Sequence, residues 1–269
     1  MSVRFVSANL LHGRSLTDGL VDVDRMKQAI AELDADVLAL QEVDRGQARS
    51  GEVDQTGVIA AAMGEASWRF VPAIIGEPGA SWRAATAEDL PSGHDLETVV
   101  APVQSYGTGL VIRGPVERWH VIRVRPFPRR APVFIPGVNR WMFIDDEPRV
   151  CIAAQIQTPW GPMTVAATHL SFVPGWNIPQ LRQIVRALSC LPGPTLLLGD
   201  LNLPAPIPAM VSRWTALAPG LPTFPAPSPR MQLDHALLHD PLGAFPSKVS
   251  SSAREMTFSD HRALVVDAG

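Results

Sequence analysis

The chain has 269 residues, 46% of them hydrophobic, and a formal charge of -3 at pH 7. That size suits one large core, and no linker divides it, so one domain over residues 1–269 is expected. The negative balance excludes a protein that holds nucleic acid chiefly by a basic surface, though not a nucleic acid entering a cleft.

Two cysteines without CxxC spacing exclude a disulfide scaffold and a thiolate metal site; Cys151 and Cys190 both read as small buried hydrophobes. No apolar run reaches membrane-spanning length, so no integral membrane segment is expected. The start, MSVRFVSANLLHG, reads directly as a strand without a basic leader, and a cytoplasmic location is the expectation.

Val3–Ala8 is a short apolar strand closed by Asn9, and LLHGR follows as a turn. Met26, Ala29, Ile30 and Leu33 recur at helical spacing, so Asp24–Asp34 is predicted as a helix, capped by Asp22 or Asp24. A second apolar strand ends at Gln41–Glu42. Thr56–Met63 reads as a short helix closed by Gly64, and Trp68–Ile75 as a strand. Residues 76–103 have no period and suit a long surface excursion beside a site, or a flap.

Tyr106–Arg113 and Val116–Arg125 read as successive strands. After them Arg123, Arg125, Arg129, Arg130 and Arg140 surround Phe127, Phe134 and Trp141. This stretch is either a solvated loop or a groove wall in which Arg129, Arg130 and Arg140 touch a phosphate-bearing substrate. Val150–Gln157 and Pro162–Thr168 form a hairpin about Pro159–Gly161. Ile178–Leu188 is an amphipathic helix, stopped by Pro192–Pro194. Two proline-rich loops, Pro204–Pro208 and Pro219–Pro229, lie between the last helix-borne strand and the closing strands Gln232–Leu238 and Ala263–Val266. Strands dominate, which favours two packed sheets with outer helices.

The stretch that organises the rest is Leu196–Leu203, LLLGDLNL. Three leucines run into Gly199, and the strand end then exposes Asp200 and Asn202, two residues apart and so on one side. Polar groups end five further strands: Asn9, Gln41–Glu42, Thr168–His169, Asp234–His235 and Asp260–His261. Glu42, Asp200, Asp234 and Asp260 with Asn9 and Asn202 make an oxygen-rich set suited to Mg²⁺ or Mn²⁺. Clustered carboxylates repel and raise one another's pKa, and a divalent cation relieves that while serving as a Lewis acid.

The ordered set NLLHG, QE, YGTGLVIR, THL, GDLN, QLDH and SDH resembles the endonuclease/exonuclease/phosphatase superfamily over almost the whole chain. The resemblance implies an α+β four-layer αββα sandwich, two packed mixed β-sheets flanked by helices. It implies that Glu42 is the principal metal ligand, with Asn9 and Asp260 as further ligands or positioners. It implies that Asp200 orients or deprotonates the attacking water and that Asn202 holds the phosphate or an alternative metal position. His261 would contact the scissile phosphate and Asp234 would fix His261. His169 matches the position that is histidine in secreted deoxyribonucleases and tyrosine in abasic-site endonucleases. Thr108 and Ile112 depart from the family's common asparagine and serine, and both are expected beside the site.

The expected activity is metal-dependent hydrolysis of a phosphodiester or phosphomonoester by in-line attack of water. The substrate is expected to be a small-molecule or lipid-headgroup ester, since the basic cluster is modest and no lysine-rich segment exists. The alternatives are a DNA or RNA nuclease, with nucleic acid as the partner, and a noncatalytic binding module on the same fold.

Overall fold

Alternation along the first strand sets the layering of the molecule. Phe5 joins a core shared by two sheets, while Val6 and Ala8 face outward onto helices. The computed structural model describes residues 2–64, 66–90, 103–128, 130–135 and 140–269. In chain order the elements are β1 (Val3–Asn9), α1 (Val23–Leu33), β2 (Val37–Arg45), α2 (Gln55–Ala62), β3 (Ala66–Gly76), β4 (Trp82–Ala84) and β5 (Ser105–Arg113). Then come β6 (Val116–Val124), β7 (Ala131–Ile135), β8 (Arg140–Ile144), β9 (Arg149–Thr158), β10 (Gly161–His169) and α3 (Asn177–Leu188). The chain closes with β11 (Thr195–Asp200), α4 (Ile207–Ser212), β12 (Thr215–Ala216), β13 (Asp234–His239), β14 (Val249–Arg254) and β15 (Ala263–Ala268).

A seven-stranded sheet runs β14-β15-β1-β2-β5-β3-β4, and a six-stranded sheet runs β12-β13-β11-β10-β9-β6. Each is mixed: β1 pairs parallel with β2, and β10 parallel with β11, while the other neighbours within these two sheets are antiparallel. Between the sheets lie Val37, Ala39, Leu110 and Ile112 from one and Ile152, Val165, Leu196 and Leu198 from the other. Outside the first sheet, Met26, Ile30 and Leu33 of α1 and Ile59 of α2 pack on Leu38 and Leu40. Outside the second, Leu181, Ile184 and Leu188 of α3 pack on Ala166 and Leu197. The layers are αββα.

Helix α1 shows why these segments form where they do. Asp22 accepts from the backbone N–H of Asp24 and Arg25 at 2.9 and 3.0 Å, so of the two capping candidates Asp22 acts. Burying Met26, Ile30 and Leu33 is worth roughly 1.5–3 kcal/mol each, which holds one face against the sheet.

Some expectations need correction. Cys151 is buried, but Cys190 is exposed, because it lies in the turn just past α3 and not on its apolar face. Ile112 is not beside the site: it pairs with Val37 at the opposite end of the sheet and packs in the core. The Arg-rich stretch contains the antiparallel pair β7–β8, Ala131↔Ile144 to Ile135↔Arg140, which its mixed composition did not reveal. The proline-rich segment after β11 holds α4, and serine-rich β14 forms the edge of its sheet.

Candidate active site

The two parallel pairs bring separate strand ends to one rim. The β1–β2 pairing ends at Asn9 and Gln41, although β2 runs past the expected end at Glu42 to Arg45, and β10 and β11 finish at His169 and Asp200, which are register partners. β13, antiparallel to β11, begins there with Asp234 opposite Asp200. The Ser259–His261 turn before β15 completes the rim, its Ser259 hydroxyl donating to the Asn9 carbonyl at 2.7 Å.

Two backbone irregularities aim the side chains. The β2–β5 register shifts between Leu40 and Val43, and Glu42 in this bulge has φ +54°. A bulge re-aims a side chain that regular pleating would send elsewhere. Asn202 also lies at positive φ, +48°, and its backbone N–H donates to Asp200 Oδ1 at 2.9 Å. Gly199 supplies the close approach: a Cβ there would lie 2.0 Å from the Thr168 carbonyl oxygen.

Asn9 Nδ2 stands 3.1 Å from both Glu42 Oε1 and Asp200 Oδ2 and donates to the two carboxylates, while its Oδ1 accepts from the Leu11 N–H at 3.0 Å. Gln55 ties the following loop to β2, accepting from Asp44 N–H at 2.9 Å and donating to the His12 carbonyl at 2.7 Å. Behind Glu42, Arg49 grips Asp44 through two 2.8 Å bonds and lies over the Tyr106 ring.

Asp200 is buried, with His169 Nε2 and His261 Nε2 at 3.6 and 3.7 Å from its Oδ2. Burial raises its pKa to about 7, against the opposing pull of His261. Burial likewise raises Glu42, and the nearby Asp260 charge adds to this. His261 is pulled down by burial, but the Asp234 carboxylate 2.8 Å from Nδ1, with Asp200 and Asp260, outweighs that and brings it up to about 10. His169 goes the other way: burial first, then the charges of Arg149 and His261, hold it well below the usual histidine range.

The rim therefore brings together Asn9, Glu42, His169, Asp200, Asn202, Asp234 and His261, with Asp260 close enough to act on Glu42 and His261. Among the described residues, neither Arg130 nor Arg140 makes a hydrogen bond to this network. Arg130 is exposed and paired with Asp145 at 3.1 Å, Arg140 is exposed at the start of β8, and Arg129 lies outside the described residues. His235, from the same QLDH run, turns to the Leu203 carbonyl at 2.8 Å.

Arg149 escaped the sequence reading although it is buried at the start of β9 with Nη1 3.3 Å from His169 Nδ1. The hairpin contains the signal. With Thr158 opposite Gly161, counting back along β9 opposes Arg149 to the residue after His169.

The donor set suits a hard cation. Among the described residues no three His, Cys, Asp or Glu side chains gather as a ligand group. Mg²⁺, however, is commonly held by one or two carboxylates with waters and substrate oxygens completing its shell. Glu42 and Asp260 are carboxylates of that kind at the rim, and burial, with the Asp260 charge adding to it, raises the Glu42 pKa against the opposing pull of Asn9, His261 and Arg149. Asn9, with Oδ1 engaged by Leu11, is built as a positioner of Glu42 and Asp200.

An αββα sandwich with a polar rim at the ends of its strands is an architecture shared by phosphoester hydrolases, and comparison with known proteins identifies the family. The chain belongs to the Endonuclease/Exonuclease/phosphatase family, whose model matches residues 6–261. Membership gives the chain hydrolysis of a phosphoester bond as its general activity, in a family that is generally metal-dependent. A comparison with curated proteins gives no match.

Among solved structures, an endonuclease/exonuclease/phosphatase from Beutenbergia cavernae is similar with TM-score 0.63 and 21% identity, over 99% of this chain and 71% of that one. Mannosyl-6-phosphatase Bt3783 of Bacteroides thetaiotaomicron has TM-score 0.61 and 14% identity, over 98% of both chains. Sphingomyelinase C from Streptomyces griseocarneus has TM-score 0.61 and 14% identity, over 100% of both. At these identities the likeness establishes the fold. No described helix is long and apolar enough to cross a membrane.

Proposed function

We propose that the protein is a Mg²⁺- or Mn²⁺-dependent hydrolase that splits a small-molecule or lipid-headgroup phosphoester by in-line attack of water. The observation that carries the reading is the convergence of Asn9, Glu42, His169, Asp200, Asn202 and the Asp234–His261 pair on one rim, linked by contacts of 2.8–3.7 Å.

Glu42 and Asp260 would hold the cation, and Asn9 keeps Glu42 in place. The cation, when bound, supplies Lewis-acid stabilisation of the phosphate oxygens. Asp200 takes the proton of the attacking water: a base with pKa about 7 accepts a proton near neutral pH. Asn202 and His169 offer N–H donors to the phosphate. His261, charged through neutral pH and oriented by Asp234, donates to the oxygen on which charge accumulates.

The preference for a small ester over nucleic acid rests on the arginine-rich stretch. Arg123 donates to the backbone carbonyls of Pro72 and Thr86, and Arg130 is paired with Asp145, so these guanidiniums are not a free row for tracking phosphates. Structural relatives named as a sugar phosphatase and a sphingomyelinase are compatible with this choice.

Purified protein assayed with Mg²⁺ or Mn²⁺ on bis-p-nitrophenyl phosphate, p-nitrophenyl phosphate, plasmid DNA and RNA tests the proposal, with Glu42→Ala as control. Turnover of the small esters alone, lost in the control, is the expected result. Plasmid or RNA cleavage lost in the control would make it a nuclease, and activity untouched by Glu42→Ala would overturn the mechanism. Since Arg130 is paired with Asp145, Arg130→Glu is expected to leave KM, kcat and salt dependence nearly unchanged; a raised KM with altered salt dependence would place Arg130 among the substrate contacts.

A further inference from the structure

Arg149 is a buried cation that the mechanism above does not use. Its guanidinium lies beside His169 Nδ1 at 3.3 Å and 3.9 Å from Asp146 Oδ1, and among the described residues its Nε has no hydrogen-bond partner. Glu147, Tyr106, Asp146 and Glu42 surround it closely enough to keep it charged despite burial. With its side chain only 5% exposed it cannot present itself to substrate. It reaches the site through the imidazole.

Guanidinium has five N–H donors and no acceptor. A bond from it needs the facing His169 nitrogen without a proton, and in a neutral imidazole the proton then sits on Nε2. Asn202 Nδ2 lies 3.1 Å from that Nε2 and already spends one hydrogen on the Leu170 carbonyl at 3.0 Å. Turning the amide over would set its oxygen against that carbonyl. Asn202 alone would favour the opposite tautomer, with Nε2 accepting its second hydrogen, but the guanidinium is charged and buried while the amide is neutral and half-buried. The guanidinium therefore decides, and two N–H groups, from His169 and Asn202, face each other about one hydrogen-bond length apart. An anionic oxygen, as on a phosphate, is the acceptor that satisfies both. His261 is the opposite case, because Asp234 accepts its Nδ1–H.

We infer that Arg149 is a positioning residue that locks His169 as a neutral Nε2–H donor, so that His169 and Asn202 form a fixed two-donor cradle for a phosphate oxygen. His169 then takes no part in proton transfer, since protonating Nδ1 would set an N–H against a charged, buried guanidinium, a costlier clash than the neutral one at Asn202. The cradle's ligand rests on the phosphoester reading of the site; the tautomer does not.

The test is a long-range ¹H–¹⁵N spectrum of the substrate-free, metal-free protein at neutral pH, with the His169 signals assigned by their loss in His169→Gln. The expected result is a single Nε2–H tautomer in the wild type, retained in Arg149→Lys and replaced by a mixture or by Nδ1–H in Arg149→Met. In turnover, Arg149→Met should lower kcat about 10- to 100-fold with a smaller change in KM, and Arg149→Lys should recover much of it. A wild-type His169 that is Nδ1–H or an imidazolium would overturn the inference, as would an Arg149→Met protein that keeps pure Nε2–H. Should Arg149→Met fail to fold, the wild-type spectrum alone decides. Because the spectrum needs no turnover, an Nε2–H His169 in a protein inert toward every ester would sink the functional reading and leave this one standing.

Discussion

At the scale of single residues the site works by giving like groups unlike surroundings. His261 sits 2.8 Å from a carboxylate and His169 3.3 Å from a guanidinium, so one imidazole is driven toward the cation and the other away from it. Replacing His261 by Gln should lower kcat on the order of 10²–10⁴-fold, the usual weight of a lost proton donor, with KM much less affected. Steady-state kinetics on whichever ester proves active would show this, and a near-normal kcat would remove the role.

The same shifts predict how stability depends on pH. His261 goes from an ordinary 6.5 up to about 10, and Asp200 from 3.8 up to about 7. Both bind protons more tightly folded than unfolded, so each stabilises the protein fully below its ordinary pKa and loses that contribution as pH rises through the folded one. The metal-free protein should therefore lose stability from Asp200 between about pH 4 and 7 and from His261 between about 6.5 and 10. Urea melts in EDTA at pH 6 and pH 9 should give the lower midpoint at pH 9. A midpoint that rises would mean these groups are not charged as described.

At the scale of elements, the rim depends on how closely β10 and β11 approach. Thr168 faces Gly199 in the parallel register, and an added Cβ would meet a backbone carbonyl at 2.0 Å, with no flexible side chain to give way. Gly199→Ala should cost about 3 kcal/mol and also displace Asp200, which follows directly. Urea denaturation would measure the first effect and kcat the second. A variant of unchanged stability would mean that the strands can part without harm.

The strand end Leu196–Asn202 and the hydrophobic alternation in the first half of the chain are legible in the sequence because each is a local property. The β2 bulge that turns Glu42 into the site is not, because a register shift belongs to two strands at once. Arg149 is not legible there for the same reason. It is an ordinary arginine in DDEPRV until hairpin pairing sets it against the residue after His169.

For the whole molecule, a net charge of -3 is spread over a protein whose site itself concentrates Glu42, Asp200, Asp234 and Asp260. Burial disfavours the charged form of Glu42, and the Asp260 charge adds to that, so a cation beside them would be favourable. Mg²⁺ at about 100 times its Kd should therefore stabilise the protein by about 2.7 kcal/mol, several degrees in Tm. Glu42→Ala should abolish that response while leaving the metal-free protein as stable as the wild type or more so. Thermal melts with Mg²⁺ and with EDTA check both statements; an equal Mg²⁺ shift in the variant would mean that the cation binds elsewhere.

By itself, the sequence determined the family, the αββα layering and the identity of the polar residues at the strand ends. Periodicity, glycine turns and short ordered motifs are written in contiguous residues. Tertiary structure alone decided which of those ends meet, that Asn9 bridges Glu42 and Asp200, and that Arg130 pairs with Asp145. It also decided that a buried guanidinium stands behind His169. Those facts depend on sheet register and on burial, which raise or lower a side chain's pKa by what the fold packs around it and not by its neighbours in the chain.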